Sequence, residues 1–271
     1  IIIMALLIFI GMVGYDNITD KTQPTTPVQQ EQQKISKHEK SAAMALFTSL
    51  LPPKEEWPSP VHKFYLAFNM DEVIDPIRQN PNWTGLDAMS RDIPQALIAI
   101  EDHAFYNHGA IAVEGILRAA LANINAGEVV QGGSTLTQQF VKNVFLSHEQ
   151  SMERKIEEAV LSLMLEDNYS KDEILELYLN TTYFGAGSTG IKQASKTYFG
   201  KAPSALTLAE AAVIASLPYA PTDLNPLENP EGCKKRQLLV LAAMHKYGMI
   251  NQGQLAEAKA EKIRLTNGTV M

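Results

Sequence analysis

Ser/Thr-x-x-Glu/Gln pairs at Ser147/Gln150, Ser170/Glu173 and Thr207/Glu210 punctuate the chain. In such a pair the hydroxyl accepts from the backbone N–H three residues on, and the acid or amide reaches back, so each marks the start of a helix. Behind the first, Met152, Ile156, Val160 and Leu163 recur at helical spacing and are expected to face the core. The second opens a helix through Asn180, and the third a helix stopped by Pro218. A helix starting near Ile93-Pro94 carries the apolar run 96–100. Val113, Ile116, Leu117, Leu121 and Ile124 form a stripe on another, ended by Gly127. That stripe is expected to face the core, with contact to a bilayer as the alternative. Val61 to Met70 reads as a strand or extended stretch, and no alternating strand series follows. The chain is therefore expected to be mainly α.

At 271 residues, 45% hydrophobic and 20% charged, the chain has ample material for a core. Its net charge of -7 argues against a nucleic-acid partner, which needs a basic face. A single cysteine, Cys233, excludes an internal disulfide and a cysteine metal site. Residues 1–15 are almost entirely apolar and read as the end of a transmembrane helix, with a signal-peptide core as the alternative. Residues 16–58 read as a flexible linker: Thr, Gln, Pro and Lys dominate its first part, and a short apolar segment stops at Pro52-Pro53. A catalytic domain is expected over 59–250. Residues 251–271, charged and then small or polar, read as a tail or the start of a further C-terminal region.

The chemistry concentrates in two places. Glu101-Asp102-His103-Ala104-Phe105-Tyr106-Asn107-His108-Gly109 packs two acids, two histidines and two aromatics directly behind an apolar helix. A carboxylate at such a boundary suits a general base, because desolvation disfavours its charged form. A solvated, frayed helix end is the bland alternative for Glu101 and Asp102. The second place begins at Gln131-Gly132-Gly133-Ser134-Thr135-Leu136-Thr137-Gln138-Gln139. Glycines followed by hydroxyls at a helix start make an anion site from free N–H groups and the helix dipole, with Lys142 nearby. Arg154, Lys155 and Glu158 share one helix face. Taken alone, that cluster also fits an ordinary surface salt bridge.

Together these segments resemble the peptidoglycan glycosyltransferase family, the membrane-bound enzymes that polymerise lipid II. Glu101, Asp102, Phe105, His108 and Gly109 match its first motif. Gly133, Ser134, Thr135, Thr137, Gln138 and Gln139 match the second. Arg154, Lys155 and Glu158 match the third. Lys171 to Glu176 with Tyr178 and Asn180 match the fourth. The last is partly kept, in Arg236, Val240, Leu241 and Met244, with Gln237 and Leu238 departing from it. Gln150 stands where members often carry Arg. The resemblance runs from about Val61 to Met244.

The resemblance implies a lysozyme-like α-helical head lobe, a smaller membrane-proximal jaw lobe and an N-terminal transmembrane helix. The implied location is the cytoplasmic membrane, single-pass, with the catalytic domain on the extracytoplasmic (periplasmic) face. Glu101 is implied as the base that deprotonates the acceptor 4-hydroxyl in an inverting transfer, with undecaprenyl pyrophosphate leaving. Glu158 is implied as the second carboxylate, orienting cations or holding a divalent metal, Mg2+ or Mn2+, since the family is variably metal-dependent. No organic cofactor is implied. Substrate contacts are implied for Asp102, Phe105, His108, Ser134, Thr135, Thr137, Gln138, Gln139, Lys142, Arg154 and Lys155. Implied partners are lipid II, the growing glycan chain, the membrane, and cell-wall synthesis or division proteins. The family also occurs fused to a transpeptidase with a Ser-x-x-Lys nucleophile, a motif this chain lacks. A lysozyme-like glycan cleaver and a catalytically silent anchored scaffold are the competing readings.

Overall fold

The computed structural model describes residues 65, 66, 68–116, 124, 132–146 and 151–271. The expected anchor and linker, and the Ser147/Gln150 pair, lie outside these residues. Among the described residues no helix is long and apolar enough to cross a membrane. The chain divides into two compact units, Ile1–Phe68 and Asn69–Met271. Tyr65, Leu66 and Phe68 are helical, not extended as the sequence suggested.

The second unit is mainly helical. Its helices are α1 (Asp71–Arg78), α2 (Asp92–Glu101), α3 (Leu136–Phe145), α4 (Met152–Asn168) and α5 (Lys171–Thr181), then α6 (Ile191–Phe199), α7 (Leu208–Ser216), α8 (Pro230–Lys246) and α9 (Gln252–Ala260). Outside them, among the described residues, β pairing is limited to the isolated bridges Tyr183–Thr189 and Arg264–Val270.

Local chemistry sets the helix starts. The Ser170 and Thr207 boxes form as read. Two further boxes, Thr135/Gln138 on α3 and Asn251/Gln254 on α9, obey the same rule. Ser151 caps α4 by accepting from the Arg154 N–H, four residues after the serine the sequence pointed to. Each cap is worth about 1 kcal/mol.

Two groups of helices form the packing. In the first, α7 packs against both α2 and α8, which also pack on each other. Every residue of α7 from Ala209 to Ser216 is buried. Small alanines on that helix let its neighbours approach closely. Gln237 is fully buried, and its side-chain amide donates to the Ala209 carbonyl at 2.8 Å. In the second group, α3 packs against α4 and α5.

The two apolar stripes are not where the sequence suggested. Met152, Ile156 and Leu163 on α4 do not face the core; they are exposed, Met152 at 79%. Glu158, Ser162 and Leu165 form the buried face instead. Spacing reveals a stripe but not which side meets the core, and on α4 a polar stripe is the buried one. Val113, Ile116 and Ile124 are likewise exposed, against the core-facing expectation. Within the stretch 251–271, α9 buries Leu255 and Ala258, and Ile263 and Leu265 are buried beyond it. Thr266 donates to the Tyr198 and Thr197 carbonyls, through its N–H at 3.0 Å and its hydroxyl at 2.6 Å.

Candidate active site

Glu101 is the last residue of α2 and stands where the two groups of helices meet. Its Oε2 accepts from Gln139 Nε2 of α3 at 3.0 Å. Gln139 Oε1 in turn accepts from the Tyr178 hydroxyl of α5, also at 3.0 Å. Tyr178 is 1% exposed. Burial first, and then the charge of Glu101, push its hydroxyl far above the usual tyrosine range, so it stays a neutral donor.

Asp102 turns the chain out of α2. One of its oxygens lies 2.6 Å from His108 Nε2, and the other accepts the Leu136 N–H at the start of α3 at 3.1 Å. His108 Nδ1 lies 2.6 Å from the Gly109 carbonyl. A carbonyl and a carboxylate only accept, so both contacts are made together by the doubly protonated ring, the form that they favour. Burial works against that charge, but Asp102 and the Gly109 carbonyl outweigh it, and the pKa is raised. The anion expected from a ligand at this helix start is therefore supplied by the chain itself. Thr135 and Gln138 satisfy each other across the capping box, and the Thr135 hydroxyl donates to the Ala110 carbonyl at 2.7 Å.

The remaining residues of the first two motifs brace these. Phe105 is fully buried, with Lys171 Nζ 4.5 Å from its ring centroid. The Thr137 hydroxyl donates to Glu166 at 2.6 Å, and Lys171 donates to the same oxygen at 2.7 Å. Phe105, Thr135, Thr137 and Gln138 are thus buried and partnered within the chain. The fourth motif anchors the 83–86 loop. Glu176 accepts from Trp83 Nε1 and the Leu86 N–H, and Asn180 exchanges two hydrogen bonds with the Thr84 backbone.

The second carboxylate has a different setting. Glu158 is 2% exposed on α4. Lys155 Nζ contacts its Oε1, and Arg154 Nη1 lies 3.5 Å from its Oε2. Lys155 also donates to the Ser134 hydroxyl at 3.0 Å, joining this cluster to the loop before α3. Arg154 Nε is buried and finds no acceptor among the described residues. Lys142 is exposed in the last turn of α3. The donor set at Glu158 does not fit a divalent cation, because both of its oxygens already face cationic side chains. No group of three or more carboxylates, histidines or cysteines suited to a metal occurs among the described residues.

Two aromatic residues receive no role at the site from the sequence. Tyr178 matches the fourth motif only, with no link there to Glu101. Tyr247, at the end of α8, stacks on His103 at 4.2 Å between ring centroids and 13° between planes. Nothing local in the sequence connects residues so far apart.

The site thus holds two kinds of carboxylate, Glu101 held by a neutral amide at a helix end and Glu158 clasped by cations on α4. The transglycosylase family model matches residues 70–245. A provisionally named transglycosylase of Cupriavidus necator is 40% identical over 194 residues, covering 72% of this chain and 84% of its own. Penicillin-binding protein 1A of Neisseria flavescens is 44% identical over 68% of this chain and 23% of its own. Penicillin-binding protein 1A of Aquifex aeolicus is 44% identical over 65% and 24%. The chain thus spans most of the first relative and about a quarter of the penicillin-binding proteins. This chain belongs to the transglycosylase family, the peptidoglycan glycosyltransferases.

Proposed function

We propose that this chain polymerises lipid II by inverting transfer, with Glu101 as the general base. In that reaction the acceptor 4-hydroxyl oxygen bonds to the anomeric carbon of the donor chain as the bond from that carbon to the pyrophosphate breaks. The hydroxyl proton goes to Glu101, and undecaprenyl pyrophosphate leaves with the bonding electrons. The observation that carries this reading is the contrast between the two carboxylates. Glu101 accepts from a neutral amide and remains able to take a proton. Glu158 lies between Arg154 and Lys155, so its role is to orient them. Negative charge grows on the leaving pyrophosphate, and positioned cations stabilise it in the transition state. Arg154, Lys155 and Lys142 supply them.

A lipid-linked substrate places the reaction at the cytoplasmic membrane, with the catalytic face on the extracytoplasmic side. The outward apolar residues Met152, Ile156 and Leu163 on the helix that carries Arg154 and Lys155 suit contact with lipid. The test is incubation of the full chain with labelled lipid II beside Glu101→Gln. Long strands from the native chain and none from the variant support the reading. Cleavage of preformed glycan without polymer would sink it.

A further inference from the structure

Glu101 sits at a helix terminus, where a carboxylate side chain has several rotamers open to it. A general base must hold one of them, since small misplacements of a reacting group cost large factors in rate. The chain Tyr178–Gln139–Glu101 supplies the restraint, and its polarity follows from its ends. A carboxylate only accepts, so Gln139 must turn its N–H toward Glu101 and its carbonyl oxygen away. That oxygen only accepts, so the Tyr178 hydroxyl must donate to it. A flipped amide would set its carbonyl oxygen against the carboxylate and its N–H against the tyrosine proton.

The platform under this chain is fixed. Tyr178 is fully enclosed on α5, with Glu176 and Asn180 tying the same helix to the 83–86 loop. Gln139 lies in the second turn of α3, whose start is held by Asp102 and the Thr135 box. Three helices therefore meet at one amide.

We propose that Tyr178 is a positioning residue for glycosyl transfer: its buried hydroxyl locks the Gln139 amide, which holds the Glu101 carboxylate in its working orientation. The proposal rests on Glu101 being the base. Tyr178 touches no reacting atom and acts only through Gln139.

The experiment is steady-state polymerisation of lipid II by the full chain, with Tyr178→Phe, Gln139→Ala and the double variant. Tyr178→Phe keeps the ring and deletes one oxygen. It should lower kcat roughly ten-fold, in keeping with loss of one hydrogen bond to a charged assembly, and leave KM for lipid II unchanged. On the Gln139→Ala background the same change should have no further effect, because the amide it orients is gone. A merely structural tyrosine would instead cause the same loss on both backgrounds. That outcome, or native kcat in Tyr178→Phe, overturns the proposal. If Tyr178→Phe does not fold, Gln139→Asn, too short to reach both partners, reads the same chain, and native kcat there overturns it equally. Glu101→Gln separates the two levels. Activity in that variant defeats the base assignment, whereas a dead Glu101→Gln beside a fully active Tyr178→Phe defeats the lock alone.

Discussion

Replacing Glu158 by glutamine keeps its volume and one acceptor oxygen but removes its charge. Breaking a fully buried ion pair costs about 3–5 kcal/mol, whereas an exposed pair is worth about 0–1 kcal/mol. The Glu158 cluster falls between these limits. The glutamate is 2% exposed and the Arg154 side chain 16%, but their contact is 3.5 Å long and the Lys155 side chain is 45% exposed. Discounting the lysine for solvent leaves about 2 kcal/mol, which lowers the melting midpoint by about 4–8 °C for a unit of this size. The released cations no longer hold their geometry for the pyrophosphate, so kcat/KM should fall by roughly a factor of 10². Thermal melting and lipid II kinetics on the same preparation read both quantities. An unshifted midpoint with native kcat/KM would refute the reasoning. So would complete loss of turnover with intact donor affinity, since that would make Glu158 a participant in the chemistry.

Further predictions follow from the scaffold. The raised pKa of His108 gives the His108–Asp102 contact a definite pH dependence. Its stabilisation is complete below the unfolded histidine value of about 6.5 and is lost as pH rises through the higher folded value. The melting midpoint should fall across that window, and His108→Gln should flatten the fall. Thr135→Val should cost about 1–2 kcal/mol in urea unfolding, because it removes the cap of α3 and strands the Ala110 carbonyl. Gly185→Ala should be far worse than Gly187→Ala. Both glycines have positive φ, but a Cβ on Gly185 would lie 2.2 Å from the Pro221 carbonyl oxygen, whereas on Gly187 it meets open space. Urea unfolding should show a loss of about 1–2 kcal/mol at Gly187 and a clearly larger one at Gly185.

The helical class was legible because caps and 3.6-residue periodicity are local properties, as at Ser170 and Thr207. The Thr135/Gln138 box was equally local, but its residues read as ligand contacts, because one short motif both caps a helix and borders the site. The orientation of α4 was not legible. Its apolar stripe obeyed the helical period, yet Glu158 and Ser162 turn inward because Arg154, Lys155 and Ser134 assemble around the glutamate. That preference depends in part on Ser134, a residue of the distant loop before α3. For the same reason Glu101 could be picked out from its neighbours, but its partners Gln139 and Tyr178 could not be assigned to it. They lie 38 and 77 positions further on and meet it only in the fold.

The central claim is a division of labour between a proton acceptor at Glu101 and charge handling by the cations around Glu158. It is tested most directly by measuring lipid II affinity and single-turnover rate together in Glu101→Gln and Arg154→Ala. The division predicts native affinity with no turnover in Glu101→Gln, and affinity weakened roughly ten-fold with residual turnover in Arg154→Ala, as for loss of one charged hydrogen-bond donor. Turnover at the native rate in Glu101→Gln, or native affinity in Arg154→Ala, would contradict it.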